Sequence, residues 1–463
     1  MTATAQGPQP RARSSHAAAG SAERPRVLIV GAGFAGAAAF KALRASDVDV
    51  TVIDRRNHHL FQPLLYQVAT AALSPADIAA PIRAMARGHD NIEVLLDEVI
   101  GVDTSARLVR TRGGAAHRYD YLVLATGSEF SYFGHEDWPR FAPGLKSVED
   151  AVEVRRRILV AFECAEATSD PEAQRRLLTF VLVGGGPTGV EMAGALAELT
   201  RATLARDFRN IRPAAARILL IEAGPRLLNG FPERLGAYAL EALRRMEVEV
   251  RLNSPIEAID AESARVAGEK ISASTVIWCA GVKSTPVGEW LGVETERNGG
   301  IRVTPDLSLP GHPEIFVLGD AAVVAEGPDE RPLPWLAAVA AQQGKYVGKL
   351  IASRVAGRTN TQPFRYRNLG TMATIGRSAA VADFGRVKLT GRIAWLLWGF
   401  VHIYLLIGFR NRLSVFVNWM WSWITYGRGA RLITGPIEAP PGLQSKGDDT
   451  AAAPPAPGRS TAH

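Results

Sequence analysis

The chain has 463 residues, of which 47% are hydrophobic, so it is long and apolar enough for two or three globular domains. Its net charge of +7 comes from the segment 384–437, which holds seven Lys and Arg residues and no Asp or Glu. Because those basic residues alternate with tryptophans and aliphatic runs, we predict no nucleic-acid binding. The two cysteines, Cys164 and Cys279, are far apart in the sequence, which argues against a disulfide framework and favours a reducing compartment.

The two ends of the chain differ in composition from the middle. The first 24 residues are rich in Ala, Arg, Ser and Pro and lack the apolar run of a secretory signal. We therefore predict disordered tails over residues 1–24 and 437–463.

The first motif begins at an apolar run, residues 27–30, which is followed at once by glycines at Gly31, Gly33 and Gly36. An Ala-rich helical segment and a second apolar strand come next, and that strand ends in Asp54. This glycine spacing allows a tight turn, the approach of a pyrophosphate and close packing of the helix, while the acid is placed to bind an adenosine ribose. We predict a dinucleotide site rather than a glycine-rich turn of an ordinary α/β domain.

The segment after Asp54 contains adjacent histidines, His58 and His59, and the apolar residues of 60–66. Neighbouring histidines in a loop lack the acidic or sulfur partners of a metal site, so we predict no metal. The apolar residues are expected to close over a flat aromatic cofactor or to fill the core.

Two elements precede the second motif. Residues 77–87 are predicted to form a helix, and residues 121–125 an apolar strand that stops at Thr126 and Gly127. A strand that ends in such small residues lets the backbone touch a cofactor.

An internal repeat follows, beginning at the apolar run 180–183. Its glycines lie at Gly184, Gly186 and Gly189, and its second strand ends in Glu222. Two dinucleotide sites in one chain indicate a flavin that stays bound and a nicotinamide that exchanges. Since an acid at the ribose position bonds a 2′-hydroxyl and repels a 2′-phosphate, the mobile cofactor is expected to be NADH.

A third apolar strand, residues 315–318, ends in Gly319 and Asp320. A carboxylate at the carboxyl end of such a strand suits a hydrogen bond to the ribityl chain of a flavin; the alternative is that Asp320 caps the next helix. Residues 336–351 are predicted to form a helix.

The last ordered segment, residues 391–434, contains five of the nine tryptophans. Its apolar run 393–409 has 17 residues, which is at the lower edge of a bilayer-spanning length. Tryptophans with basic residues and no acids favour helices that lie in the interface of an anionic membrane. The alternative is a helical hairpin buried in the core or in a dimer interface.

Together these motifs resemble those of the type II NADH dehydrogenases, the single-subunit, non-proton-pumping NADH:quinone oxidoreductases. The resemblance runs from Arg26 to about Pro436 and rests on VLIVGAGFAG, RRNHHLFQPLLYQVAT, YLVLATGS, VLVGGGPTGVEMAGALAEL and IFVLGDAA. It implies FAD in the first unit, NADH in the second, and monotopic membrane attachment through the C-terminal helices. The implied flavin positions are Gly31, Gly33, Gly36, Asp54, Thr126, Gly127 and Asp320. The implied NADH positions are Gly184, Gly186, Gly189 and Glu222.

The fold class expected from these motifs is α/β, with two Rossmann-type, glutathione-reductase-like domains and an amphipathic C-terminal membrane-attachment segment. Because Asp320 must return to the first sheet, the FAD domain is expected to be discontinuous. The predicted boundaries are 25–146 and 287–380 for the FAD domain, 147–286 for the NADH domain, and 381–436 for the attachment helices.

The quinone contacts are less well specified. Some members of the family have a glutamine that meets the quinone head where this chain has Ala338. Gln342 is the substitute that we predict, and the alternative is that it bonds the flavin or neighbouring backbone. Glu191 matches an acid that the family places near flavin and quinone, and the alternative is a carboxylate that merely favours the helix dipole.

The expected reaction is hydride transfer from NADH to flavin N5, followed by two-electron reduction of a membrane quinone. The resemblance implies a place on the cytoplasmic face of the cell (inner) membrane, and a homodimer formed through the C-terminal segment stays open. Alternatives are a reductase of a protein acceptor such as ferredoxin, and a membrane-associated redox-sensing flavoprotein.

Overall fold

The computed structural model describes residues 24–326, 331–358, 362–425, 427 and 429–434. The predicted tails 1–24 and 437–463 lie outside these residues, apart from Arg24. The helices are α1 Phe34–Ala42, α2 Leu65–Ala69, α3 Pro75–Ile78, α4 Ile82–Ala86, α5 Val148–Ala167, α6 Pro171–Leu177, α7 Pro187–Glu198, α8 Glu233–Arg245, α9 Val287–Leu291, α10 Ala337–Val355, α11 Gly391–Leu405 and α12 Phe409–Thr425.

The strands up to the middle of the chain are β1 Arg26–Val30, β2 Asp49–Asp54, β3 His58–Leu60, β4 Ala79–Pro81, β5 Ile92–Leu96, β6 Val99–Asp103, β7 Leu108–Thr111, β8 Ala116–Arg118, β9 Tyr121–Leu124, β10 Ser128–Phe130, β11 Thr179–Val183, β12 Arg217–Ile221 and β13 Glu249–Arg251. The later strands are β14 Ile256–Ile259, β15 Ser263–Val266, β16 Glu269–Ser272, β17 Thr275–Trp278, β18 Val282–Ser284, β19 Ile301–Arg302, β20 Ser308–Leu309, β21 His312–Val317, β22 Ala322–Val323, β23 Ala325–Glu326, β24 Arg331–Pro332, β25 Thr371–Ile375, β26 Ala379–Asp383 and β27 Lys388–Thr390.

The first sheet has the strand order β20-β21-β9-β1-β2-β5. Strand β1 pairs in parallel with β2 and β9, and β21 pairs in parallel with β9. The apolar runs that predict these strands are buried, as expected for parallel strands covered on both faces. The chain therefore returns to the first sheet at β21, after it has completed the second sheet.

The second sheet has the order β13-β12-β11-β17, and its strands are also parallel. Every residue of β11 is buried, and helix α7 follows it directly. The arrangement repeats β1, α1 and β2, so both predicted units are present and the α/β fold class is confirmed. The domain boundaries stay a prediction.

Helix α10 packs closely against α1 through small residues. A Cβ atom added to Gly344 would lie 1.9 Å from the carbonyl oxygen of Ala35, and one added to Gly348 would lie 2.6 Å from that of Ala39. Only glycine allows backbones to approach this closely. The contact holds α10 beside the first glycine loop.

The helix predicted over residues 77–87 is wrong. The segment forms the short helix α3, then strand β4, then helix α4. Ala79, Ala80 and Pro81 pair with His58, His59 and Leu60 in a two-stranded antiparallel sheet. The prediction failed because this pairing with a distant strand, together with Pro81, interrupts the helix.

The end of the described chain is an antiparallel sheet, β25-β26-β27, followed by helices α11 and α12. Trp398 and Ala394 of α11 and Val415 of α12 join the core around α7 and α5. Among the described residues, we find no helix with the length and apolar character needed to cross a membrane.

Candidate functional site

A cavity of about 540 Å³ opens at the carboxyl edge of the first sheet, where β1, β9 and β21 end. This is the edge at which parallel α/β sheets bind ligands. Six of the seven predicted flavin residues line the cavity: Gly31, Gly33, Asp54, Thr126, Gly127 and Asp320.

The first glycine loop has three glycines with three different environments. Gly31 has a φ of +93°, and a Cβ there would lie 2.4 Å from the carbonyl oxygen of Ala125. A Cβ at Gly36 would lie 1.8 Å from the carbonyl oxygen of Gly31, whereas one at Gly33 would meet nothing within 4 Å. Gly31 and Gly36 thus shape the loop, and Gly33 leaves open space at the start of α1.

Asp54 holds this loop from the end of β2. One of its carboxylate oxygens accepts a hydrogen bond from the Ala32 N–H at 2.6 Å, and the other accepts one from the Arg56 N–H at 2.7 Å. Two short bonds fix the carboxylate at the cavity wall, where it was predicted to bind a ribose.

The second glycine loop repeats this geometry. Glu222 accepts hydrogen bonds at 2.6 Å from the N–H groups of Gly185 and Gly224. A Cβ at Gly189 would lie 1.8 Å from the carbonyl oxygen of Gly184, and one at Gly186 would meet nothing within 4 Å. The predicted NADH residues therefore come together as the flavin residues do.

Asp320 belongs to a hydrogen-bonded group that the sequence analysis missed. Its Oδ2 accepts a bond from Ser128 Oγ at 2.5 Å, and Ser128 Oγ accepts one from Lys146 Nζ, also at 2.5 Å. Burial lowers the pKa of Lys146, while Asp320 and Asp150 act in the opposite direction. All four residues line the cavity. The sequence feature next to Lys146 is the capping box of α5, formed by Ser147 and Asp150. A capping box predicts where a helix starts and does not predict a ligand site.

Helix α10 presents Gln343 to the cavity edge and Gln342 elsewhere. Buried Gln343 accepts a hydrogen bond from the Gly319 N–H at 2.7 Å. Gln342 donates to the carbonyl of Arg367 at 2.9 Å and accepts from its N–H at 3.0 Å. Both polar groups of the Gln342 amide are bonded to the Arg367 backbone. This favours the alternative that Gln342 bonds neighbouring backbone, over a contact with the quinone.

Glu191 lies in the first turns of α7 and is only partly accessible to solvent. Its Oε1 accepts a weak hydrogen bond from the Thr374 N–H at 3.3 Å. Burial raises the pKa of this carboxyl to about 8, and the Thr374 bond lowers it by a smaller amount. The side chain is therefore mainly protonated at neutral pH and can donate a proton.

One and two turns beyond Glu191, helix α7 borders a second cavity of about 80 Å³, which we call the tryptophan pocket. It is lined by Tyr66, Gln67, Thr70, Ala72, Ala195, Glu198, Thr374, Gly376, Arg377, Trp395, Trp398, Trp419, Ser422 and Trp423. Trp419 donates to Gln67 at 2.7 Å, and Arg377 donates to the carbonyl of Trp423 at 2.6 Å. The pocket thus joins α7 to the C-terminal helices.

Three polar side chains of helix α12 bond to residues 77 and 79 of the first unit. Asn411 donates to the carbonyl of Ala79 at 3.2 Å, and Ser414 donates to Asp77 at 2.7 Å. Asn418 approaches the same carboxylate at 3.4 Å.

Most of the large apolar side chains of α11 and α12 face outward instead, apart from the buried Trp398 and Val415. The exposed large residues are Ile393, Leu396, Phe400, Tyr404, Leu405, Phe409, Leu413, Phe416, Val417, Met420, Trp421, Trp423 and Ile424. An apolar patch of this extent marks a membrane or protein interface.

Comparison with known proteins decides the family. The model of the pyridine nucleotide-disulphide oxidoreductases matches residues 25–344, and that of the NDH2 C-terminal domain matches residues 368–428. The type II NADH:quinone oxidoreductase NdhA of Mycobacterium tuberculosis is 42% identical over 427 residues, covering 89% of this chain and 90% of the relative. The chain belongs to the type II NADH:quinone oxidoreductases. This confirms the family that the sequence predicts.

More distant relatives agree with this assignment. The internal alternative NAD(P)H-ubiquinone oxidoreductase A1 of Arabidopsis thaliana mitochondria is 30% identical, covering 88% of this oxidoreductase and 85% of the relative. The structure of NDH2 from Plasmodium falciparum in complex with NADH superimposes with a TM-score of 0.81 at 21% identity, over 88% of this chain and 99% of that one. The likeness at this identity shows the shared fold. The roles of individual site residues stay predictions.

Proposed function

We propose that this oxidoreductase holds FAD in the cavity of the first unit, oxidises NADH at the second unit, and reduces a membrane quinone by two electrons without pumping protons. The observation that carries the proposal is the convergence of Gly31, Asp54, Thr126 and Asp320 on one cavity, with the same glycine-loop geometry repeated at Glu222.

The cavity fits a flavin dinucleotide chemically. Helix α1 follows Gly33, which has no side chain to cap the helix, and its first turn holds no acid. Its N–H groups are thus available to a pyrophosphate, which the helix dipole favours. We propose that Asp54 bonds the ribose and that Asp320 bonds the ribityl chain. A bound flavin supplies the ability to take a hydride from a nicotinamide and to pass two electrons to a quinone.

The second unit fits NADH. Helix α7 starts at Gly186, again with no side-chain cap and no acid in its first turn. Each carboxylate oxygen of Glu222 accepts one hydrogen bond, from the N–H of Gly185 or of Gly224. The negative charge of Glu222 would repel a 2′-phosphate. We therefore expect NADH to be preferred over NADPH.

On the quinone side, Glu191 is proposed to deliver a proton. Its raised pKa keeps it neutral at pH 7, and α7 places it within two turns of the tryptophan pocket. That pocket lies beneath the exposed apolar faces of α11 and α12, so we propose that a quinone approaches from the lipid side.

We propose that α11 and α12 attach the protein to a membrane surface. On helix α12, Asn411, Ser414 and Asn418 bond to the protein while large apolar side chains such as Trp421 and Ile424 are exposed, which is unlike the surface helix of a soluble protein. The absence of acids from residues 384–437 suits an anionic bilayer. Since NADH is made in the cell interior, we place the protein on the cytoplasmic face of the cell (inner) membrane.

Visible absorbance of the purified, detergent-solubilised protein tests the reaction. Under anaerobic conditions, stoichiometric NADH should bleach a flavin band much faster than NADPH does. A short-chain quinone should then restore the band. Absence of a flavin band would overturn the proposal, and bleaching without recovery would point to a protein acceptor such as ferredoxin.

Flotation with anionic phospholipid vesicles tests the membrane surface. Phe400→Ser and Trp421→Ser should each reduce the fraction that floats, because these side chains are 70% and 65% exposed. Leu96→Ser is the matched control, since Leu96 is 61% exposed on the first sheet. Equal flotation of all three variants, or dimerisation through the patch in place of flotation, would contradict membrane attachment.

A further inference from the structure

Lys146 is a charged residue in the flavin cavity for which the reaction described above has no role. Its ammonium group donates to Ser128 Oγ at 2.5 Å, and Ser128 in turn donates to Asp320 at 2.5 Å. Asp320 and Asp150 are the carboxylates that favour its charged form. Burying an ammonium group is costly unless such partners offset the lost hydration.

Lys146 lies at the end of the cavity where we propose the flavin half of FAD to bind. Among the described residues that line the cavity, the other Lys or Arg side chains are Arg55 and Arg56, directly after Asp54 at the proposed ribose end. Lys146 lies instead beside Asp320, which is proposed to bond the ribityl chain. Since that chain carries the isoalloxazine ring, Lys146 belongs to the redox-active half of the cavity.

Charge balance shows what a cation there does. A hydride carries two electrons and one negative charge, so its transfer from NADH leaves a cationic nicotinamide and makes the flavin ring more negative by one unit. A fixed positive charge nearby stabilises the reduced form more than the oxidised form. The effect is strong because the cavity wall is partly shielded from water.

We propose that Lys146 sets the reduction potential of the bound flavin, acting as an electrostatic partner of the reduced ring and held in place by Ser128. The inference rests on the proposed function. Lys146 makes flavin reduction by NADH more favourable, and the hydrogen-bonded chain to Asp320 keeps its charge at a fixed position.

Flavin potentials of purified variants, measured by equilibration with a reference dye, test the proposal. Lys146→Met should lower the equilibrium constant for reduction by NADH at least tenfold, equivalent to about 30 mV for a two-electron couple. Lys146→Arg keeps the charge and should stay close to the wild type. Lys283→Met is the matched control, because Lys283 is a 54% exposed lysine that pairs with Glu129 at 3.2 Å.

Flavin content is measured first, which separates this inference from the proposed function. A wild type without flavin would overturn the function itself. If Lys146→Met releases flavin, Lys146→Gln is used, since its amide can still donate to Ser128. A wild-type potential in a flavin-loaded neutral variant would overturn the role of Lys146. Flavin loss from both neutral variants would also overturn it and would assign Lys146 to flavin retention.

Discussion

Replacement of Glu191 by Gln separates the two halves of the proposed reaction. Glutamine has nearly the same shape as a protonated glutamate and can still accept the hydrogen bond from Thr374, but it has no proton to give. Flavin reduction by NADH should therefore keep its wild-type rate. Quinone reduction should slow by about a hundredfold, the lower end of what a general acid contributes.

The raised pKa of Glu191 gives this prediction a pH dependence. With a pKa of about 8, the protonated form of the carboxyl exceeds the ionised form by about ten to one at pH 7. At pH 9 the ionised form is in excess by the same ratio. The protonated fraction thus falls about tenfold between these values. Because the proton-carrying form is the active one, the advantage of the wild type over Glu191→Gln should shrink by the same factor as the pH rises.

Stopped-flow absorbance measures both steps in the same sample. The oxidised enzyme is mixed with NADH, and the reduced enzyme is then mixed with a short-chain quinone at pH 7, 8 and 9. Glu163→Gln serves as the matched control because Glu163 is an exposed acid on α5. Wild-type rates in both half-reactions, or a rate ratio that does not change with pH, would refute proton delivery by Glu191.

Two further substitutions test the scaffold. Gly189→Ala places a methyl group 1.8 Å from the carbonyl oxygen of Gly184, so NADH should no longer bleach the flavin band, while dithionite still should. The control Gly230→Ala, whose added methyl group meets nothing within 4 Å, should have no effect. Asp77→Ala leaves Ser414 without its partner and should destabilise the docking of α12 by about 1–3 kcal/mol, seen as faster limited proteolysis within α12. Unchanged NADH bleaching or unchanged proteolysis would contradict these two predictions.

The two glycine units could be predicted from the sequence because each is a local structure. Turn, helix start and strand end follow one another within 24 residues in the first unit (31–54) and 39 in the second (184–222). Glycine is required at Gly36 and Gly189 by contacts inside the unit itself. The helix predicted over residues 336–351 is also present, as α10 Ala337–Val355. The family follows from these same motifs.

Contacts between distant segments could not be predicted in this way. Ser128 and Asp320 are 192 residues apart, and only the pairing of β21 with β9 brings them to the same edge. Gln342 and Gln343 are neighbours in sequence, but a helix turns about 100° per residue, so one faces Gly319 and the other Arg367. The sequence does not specify which of the two faces the site.

The acids at the strand ends show how the structure adds a second role to a predicted one. The sequence assigns Asp54 and Glu222 to ribose binding, yet each also holds its own glycine loop through the N–H of Ala32 or Gly185. Removing the carboxylate would therefore disturb the loop together with the ribose contact. A substitution of Glu222 designed to admit NADPH would therefore need another acceptor for the Gly185 N–H. Without one, the glycine loop would lose the bond that holds it in position to bind the pyrophosphate.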